Sequence, residues 1–247
     1  MPAGVPGAKA IRLLEVPGLT RGRPGSGTPA RHWLVVSTVA ERQWSDAAVQ
    51  AGLQDMEWVG SRALAHEAVV ERFLHHDAVL PMQLFALFRT DARAIDHVVQ
   101  RRRSVAKILS RIEHQVEWGL RLTFEPAKET RLDGARATGG SAAAVSGREY
   151  LKRKRASRDE SRTQLRRARG EAARVYRALS PAATRSLRRT DLERAVAGSR
   201  LVLDAAFLVP AARSRTFASA VRRHTRPLAR SGVSVSLTGP WPAYNFI

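Results

Sequence analysis

Between Ile95 and Phe124 the apolar residues change period, and this change constrains the fold more than any other stretch of the chain. Ile95, Val98, Arg102, Val105, Leu109, Ile112 and Val116 advance by alternating steps of three and four, with Arg102 the one polar member. Such steps put one stripe on one face of a helix, and Asp91 stands where an N-cap is expected. From Val116 onward every second residue is apolar: Val116, Trp118, Leu120, Leu122 and Phe124. Gln115, Glu117, Gly119, Arg121 and Thr123 fill the alternate positions, so this strand has one buried and one wet face. A helix feeding a one-sided strand predicts an α+β chain with helices packed on a sheet.

Other segments extend the pattern. Ala10 to Val16 predicts a short edge strand, and Trp33 to Val39 an apolar, β-branched one. Residues 57–74 predict a helix carrying Ala63, Val70, Phe73 and Leu74 inward, with His75, His76 and Asp77 at its end. Val79 to Phe88 predicts a largely buried strand with Pro81 near its start or at an edge. Farther on, a short helix is expected from Pro181 to about Val196, and a strand over Arg200 to Val209. A helix over 213–230 carries Phe217, Val221, His224 and Leu228 on one face, and a strand begins at Val233.

Residues 126–147 are small, polar and glycine-rich, which predicts a linker. The expected domains are therefore 1–125 and 148–247. The second opens with a long helix over 148–179. Between Arg148 and Arg177 it carries twelve Lys/Arg against four Asp/Glu. Its second half has Leu165, Ala168, Ala172, Val175, Tyr176 and Leu179 at helical steps and can dock. Its first half, with Lys152, Arg153, Lys154 and Arg155, is expected to face solvent or a partner, as is Arg166.

The whole chain carries a formal net charge of +20, which favours anionic partners. Nucleic acid is the alternative partner on this ground. The basic helix lacks the interleaved aromatics on which a single-strand binder stacks bases, so a protein partner is preferred. No apolar run reaches the length of a membrane span, and no membrane partner is expected. Zero cysteines exclude disulfides, thiolate nucleophiles and cysteine-ligated zinc. The glycine-rich stretch 22–27 lacks the GKS or GKT ending of a phosphate loop. His66-Glu67 has Val70 where a zinc-protease helix places its second histidine. No GxSxG elbow occurs. No catalytic residue, cofactor or metal is expected.

The chain ends Thr238-Gly239-Pro240-Trp241-Pro242-Ala243-Tyr244-Asn245-Phe246-Ile247. Two prolines stiffen a segment dense in aromatic area, so Trp241, Tyr244 and Phe246 are expected to fold back onto the body or to meet a partner. Residues 237–246 resemble the closing LTGPWPPYNF of the gas vesicle GvpL/GvpF family, with Ala243 in place of a proline. Val202 to Pro210 is similar to the family's LNAAYLVP strand, and Gly147-Arg148-Glu149-Tyr150-Leu151 to the start of its basic helix. His66-Glu67-Ala68-Val69, Val79-Leu80-Pro81-Met82 and Val116-Glu117-Trp118-Gly119-Leu120 resemble its HEAV, VLP and VEWGV segments. The family's RFGT is replaced by Gln83-Leu84-Phe85-Ala86, and the first thirty residues match poorly. The resemblance implies two α+β domains, the first ferredoxin-like. It also implies a non-enzymatic role in gas vesicle assembly in the cytoplasm, with the shell protein and other accessory proteins as partners.

Overall fold

A computed structural model describes residues 11–19, 31–125, 147–189 and 199–247. The chain is mixed α/β and divides into two compact units, Met1–Glu117 with Trp241–Ile247, and Trp118–Pro240.

In the first unit β1 (Arg12–Glu15) pairs antiparallel with β2 (Trp33–Val36), Arg12 opposite Val36. Five helices follow: α1 (Glu41–Trp44), α2 (Asp46–Gly52), α3 (Met56–Glu71), α4 (Asp91–Gln100) and α5 (Arg102–Ile112). The two described strands are half the number in a ferredoxin-like sandwich. Asp55 caps α3, its carboxylate accepting from the N–H groups of Glu57 and Trp58. Val16, Leu19, Val98 and Leu109 form a buried core against which Leu34, Leu80 and Val105 pack.

Three expectations need correction here. The stripe from Ile95 to Ile112 is two helices, broken at Arg101 (φ −102, ψ 11) beside its polar interruption. The N-cap is Thr90, whose hydroxyl accepts from the Arg93 N–H at 3.2 Å, and Asp91 instead pairs with Arg12 at 2.6 Å. Residues 79–88 form no strand, because Pro81 lacks an N–H and Phe85 turns into the left-handed region at φ 65. That turn aims Phe85 at Trp58, ring centroids 5.4 Å apart, and the Arg62 guanidinium lies 3.9 Å from the Trp58 ring. Gly52 permits the approach, since a Cβ there would sit 2.5 Å from Trp58.

The second unit is built on a four-stranded sheet in the order β4 (Arg185–Arg188), β5 (Arg200–Pro210), β3 (Gln115–Phe124), β6 (Val233–Trp241). β5 is buried from Leu201 to Val209, as its apolar run requires. Two helices pack here, α6 (Gly147–Leu179) and α7 (Ser214–Thr225). α6 buries Leu165, Ala168, Ala172, Val175 and Leu179, the predicted stripe, against Leu203, Phe207, Phe217 and Val221. Asp204, the one acid in β5, is held by Arg189 at 2.7 Å and Arg121 at 3.2 Å.

The expected helix after Pro181 is a single 3-10 turn over Ser180–Ala182, followed by β4. Pairing with β5, Arg185 opposite Leu208, satisfies the backbone there in place of a helix. Residues 190–196 lie outside the described residues. The last predicted helix stops at Thr225, because Pro227 opens a 3-10 turn that Gly232 ends at φ 69. Gly119 lies close to β6, where an added Cβ would meet Thr238 Oγ1 at 2.7 Å.

The limits of the units differ from those read off composition. β3 lies between β5 and β6, so most of it belongs to the second unit. The last seven residues belong to the first. Of the predicted linker over 126–147, residues 126–146 lie outside the described residues and Gly147 opens α6.

Candidate functional site: the closing segment and the basic helix

Past β6 the chain carries no regular hydrogen-bond ladder, yet Pro242, Ala243 and Phe246 are buried and Trp241 half-buried. A tight turn, in which the Phe246 N–H donates to the Ala243 carbonyl at 3.1 Å, presents Tyr244 and Asn245 to the first unit. The Tyr244 hydroxyl donates to Glu67 Oε2 on α3 at 2.7 Å. The Asn245 backbone N–H donates to Glu117 Oε2 at 2.8 Å, and its side-chain amide donates to Glu117 Oε1. One carboxylate thus receives both donors of Asn245, a two-point grip that reads backbone and side chain together. Glu117 is 4% exposed and Asn245 half-buried, so these bonds are partly shielded from water.

Burial, then the bond to Glu67, then the negative charges of Glu67, Glu71 and Glu117 push the Tyr244 hydroxyl well above its usual value of 10.0. In the unfolded chain the hydroxyl ionises near that usual value; in the folded chain it keeps its proton longer. Native protein therefore binds more protons than unfolded protein above about pH 10, and stability falls as pH rises there. Tyr244→Phe removes this dependence. It is expected to cost about 1 kcal/mol near neutrality and to flatten the loss of stability between about pH 9.5 and 11. Urea titrations across that range check it, and an unchanged slope in the variant would rule the tyrosine out as its source.

The predicted basic residues lie in the second unit. Lys152, Lys154, Arg155 and Arg166 are exposed on α6, and Arg153 lies on the same helix. Arg155 shares a recess with Arg158, Arg162 and Arg200. The predicted aromatic residues Trp241, Tyr244 and Phe246 all lie in the seven-residue segment of the first unit. Sequence patterning alone missed Glu67 and Glu117, which it placed on a helix wheel and on a wet strand face. Both sit inside the HEAV and VEWG segments quoted above, and that was the available signal. Arg158, Arg162 and Arg200 were also unmarked, since only a tertiary approach brings β5 beside the helix.

Asp77, Glu113 and His114 form the one group of three metal-ligating side chains among the described residues. His114 addresses Asp77 through Nδ1 at 3.6 Å and Glu113 through Nε2 at 3.7 Å. One ligand atom from each of the three lies within 4.8 Å of the others, and Asp77 and His114 are exposed, as acidic groups without an ion commonly are. Among the described residues, no helix is long and apolar enough to cross a membrane.

Comparison with known proteins agrees with these motifs. The family described as gas vesicle synthesis protein GvpL/GvpF matches residues 10–247. Gas vesicle protein L of Streptomyces sp. (strain CB03234) is 29% identical over 214 residues, covering 86% of this chain and 78% of that protein. The crystal structure of gas vesicle protein GvpF from Anabaena sp. PCC7120 aligns with a TM-score of 0.57 at 13% identity, over 87% of this chain and 83% of that one. GvpF from Microcystis aeruginosa aligns with a TM-score of 0.52 at 12% identity, over 87% and 84%. At these identities the two crystal structures speak to the fold.

Proposed function

This chain belongs to the gas vesicle GvpL/GvpF family, and on that premise we propose that it is an accessory or minor structural protein of gas vesicle assembly. It works in the cytoplasm, at the vesicle, through contacts with the shell protein and other accessory proteins. The observation that carries this reading is the family match over residues 10–247, which runs through the segments that grip the chain end. In this reading Trp241, Tyr244 and Phe246 are structural and complete the first unit. The contact surface is the exposed part of α6, with Lys152, Arg153, Lys154, Arg155 and Arg166. The proposal includes no catalytic step.

Capture experiments test it. The protein is recovered at moderate salt, with nuclease added, from cells co-expressing the gas vesicle proteins of its source. Salt-resistant co-recovery of the shell protein or an accessory protein is the expected result. The triple variant Arg153→Glu, Arg155→Glu, Arg166→Glu is expected to lower that recovery roughly tenfold or more. Unchanged recovery in low salt would remove the helix from the contact. Nucleic acid recovered without any vesicle protein would put the alternative reading first.

A further inference from the structure

α6 outruns the sheet on which it packs. Its 33 residues span about 50 Å, whereas the 11 residues of β5 span about 36 Å. The docked stripe begins at Leu165. Continued toward the start of the helix, the same line runs through Ser161, Arg158 and Ser157, with Arg155 and Arg162 beside it. These residues, with Arg200 at the start of β5 and Phe124 at the end of β3, line a recess of about 660 Å³. Phe124 and Leu165 are buried and form its floor, while all four arginines are exposed. Asp159 is the one acid on its wall among the described residues. Among the described residues none of the four guanidinium groups has a carboxylate partner.

Four unneutralised guanidinium groups around an apolar floor specify a complementary occupant. Arg155, Arg158 and Arg162 follow steps of three and four. Carboxylates at the same steps on a second helix would meet them in register. Ser157 and Ser161 are small enough for a second backbone to come close. Phe124 and Leu165 offer one apolar contact between the charged rows.

We infer that this recess docks an acidic amphipathic helix of another protein, with Asp or Glu facing Arg155, Arg158, Arg162 and Arg200 and an apolar side chain over Phe124 and Leu165. The inference rests on the assembly reading above and names the class of partner and its seat. Nucleic acid fits the seat less well. Among the described residues Phe124 is the one aromatic ring on the wall, whereas a strand of bases stacks on several in succession. The chain's own segment 126–146 brings Lys128, Arg131 and Arg136 against Glu129 and Asp133, and segment 190–198 brings Asp191 and Glu193 against Arg194. Neither carries the charge to neutralise the recess.

The test titrates the full-length protein against a labelled synthetic helix with Glu at three- and four-residue steps beside a row of Leu. A scrambled peptide of the same composition and a single-stranded DNA of similar length are run in parallel, at about 0.15 M salt. Arg158→Glu with Arg162→Glu is expected to weaken peptide binding roughly tenfold or more. Arg174→Glu with Arg177→Glu makes the same charge change at exposed positions of α6 away from the recess, and should stay within about threefold of the unmodified protein. Equal loss from both pairs would overturn the inference, because it would reduce binding to general charge. Equal binding of the scrambled peptide, or tighter binding of the DNA, would overturn it too. If the double Glu variant loses its helical circular dichroism, Arg158→Gln with Arg162→Gln gives the same comparison. The titration reads the recess without vesicle proteins, and the capture experiment reads the assembly role whatever its contact surface. A failed titration with intact capture removes the recess alone. Failed capture with specific peptide binding removes the assembly role alone.

Discussion

Replacing Glu117 by alanine is expected to destabilise the first unit by about 3 kcal/mol. Glu117 is 4% exposed and its carboxylate accepts both donors of Asn245, so its loss leaves two half-buried N–H groups without this acceptor. Hydrogen bonds to a charged acceptor are each worth about 1.5–3 kcal/mol, and part of that returns when the end of the chain relaxes into water. Glu117→Gln keeps an acceptor for the backbone N–H of Asn245 and is expected to cost about 1 kcal/mol. Urea unfolding followed by tryptophan fluorescence measures both. Limited carboxypeptidase digestion reads the release of the chain end directly, and it should quicken only in the alanine variant. A loss in Glu117→Ala below about 0.5 kcal/mol, with digestion unchanged, would show that Glu117 does not hold the segment.

Phe207→Ala is expected to cost about 4 kcal/mol in the second unit. Phe207 is fully buried in β5, between its neighbours β4 and β3. Its ring lies 5.2 Å from Phe217 of α7 and 5.6 Å from Tyr176 of α6, centroid to centroid. Truncation removes the transfer energy of the ring and leaves a cavity that two helices and a central strand cannot readily close. Phe207→Leu refills much of that space and should cost about 1.5 kcal/mol. The same urea titration compares the two, and equal losses would mean that the site collapses around either side chain.

Sequence patterning found what depends on near neighbours. The stripe of α6 and the apolar run of β5 follow from burial at a fixed period and stand in the structure, whereas the alternation of β3 holds only from Leu120 to Phe124, because Glu117 and Gly119 on its expected wet face are buried. It failed where a tertiary partner decides. Residues 79–88 have strand composition, but Phe85 adopts a positive φ and its ring lies on Trp58. Residues 185–188 pair with β5 because that edge is open to them, a fact no local window contains. Glu117 sits on the nominally wet face of β3, yet it is buried and accepts from Asn245. The resemblance marked the segments that hold Glu67, Glu117, Tyr244 and Asn245. That Tyr244 meets Glu67 across 177 positions of chain, and Asn245 meets Glu117 across 128, required the fold.

Those separations have a consequence for how the protein is made. The ribosome releases Glu67 and Glu117 long before Tyr244 and Asn245 exist. At roughly 5–20 residues per second, the acceptors wait on the order of ten seconds for their donors. Throughout that interval Trp118–Pro240, the whole of the second unit, emerges. The grip closes only once Tyr244 and Asn245 are made. A chain interrupted before Tyr244 lacks it altogether, so closure of the first unit is a late event in synthesis.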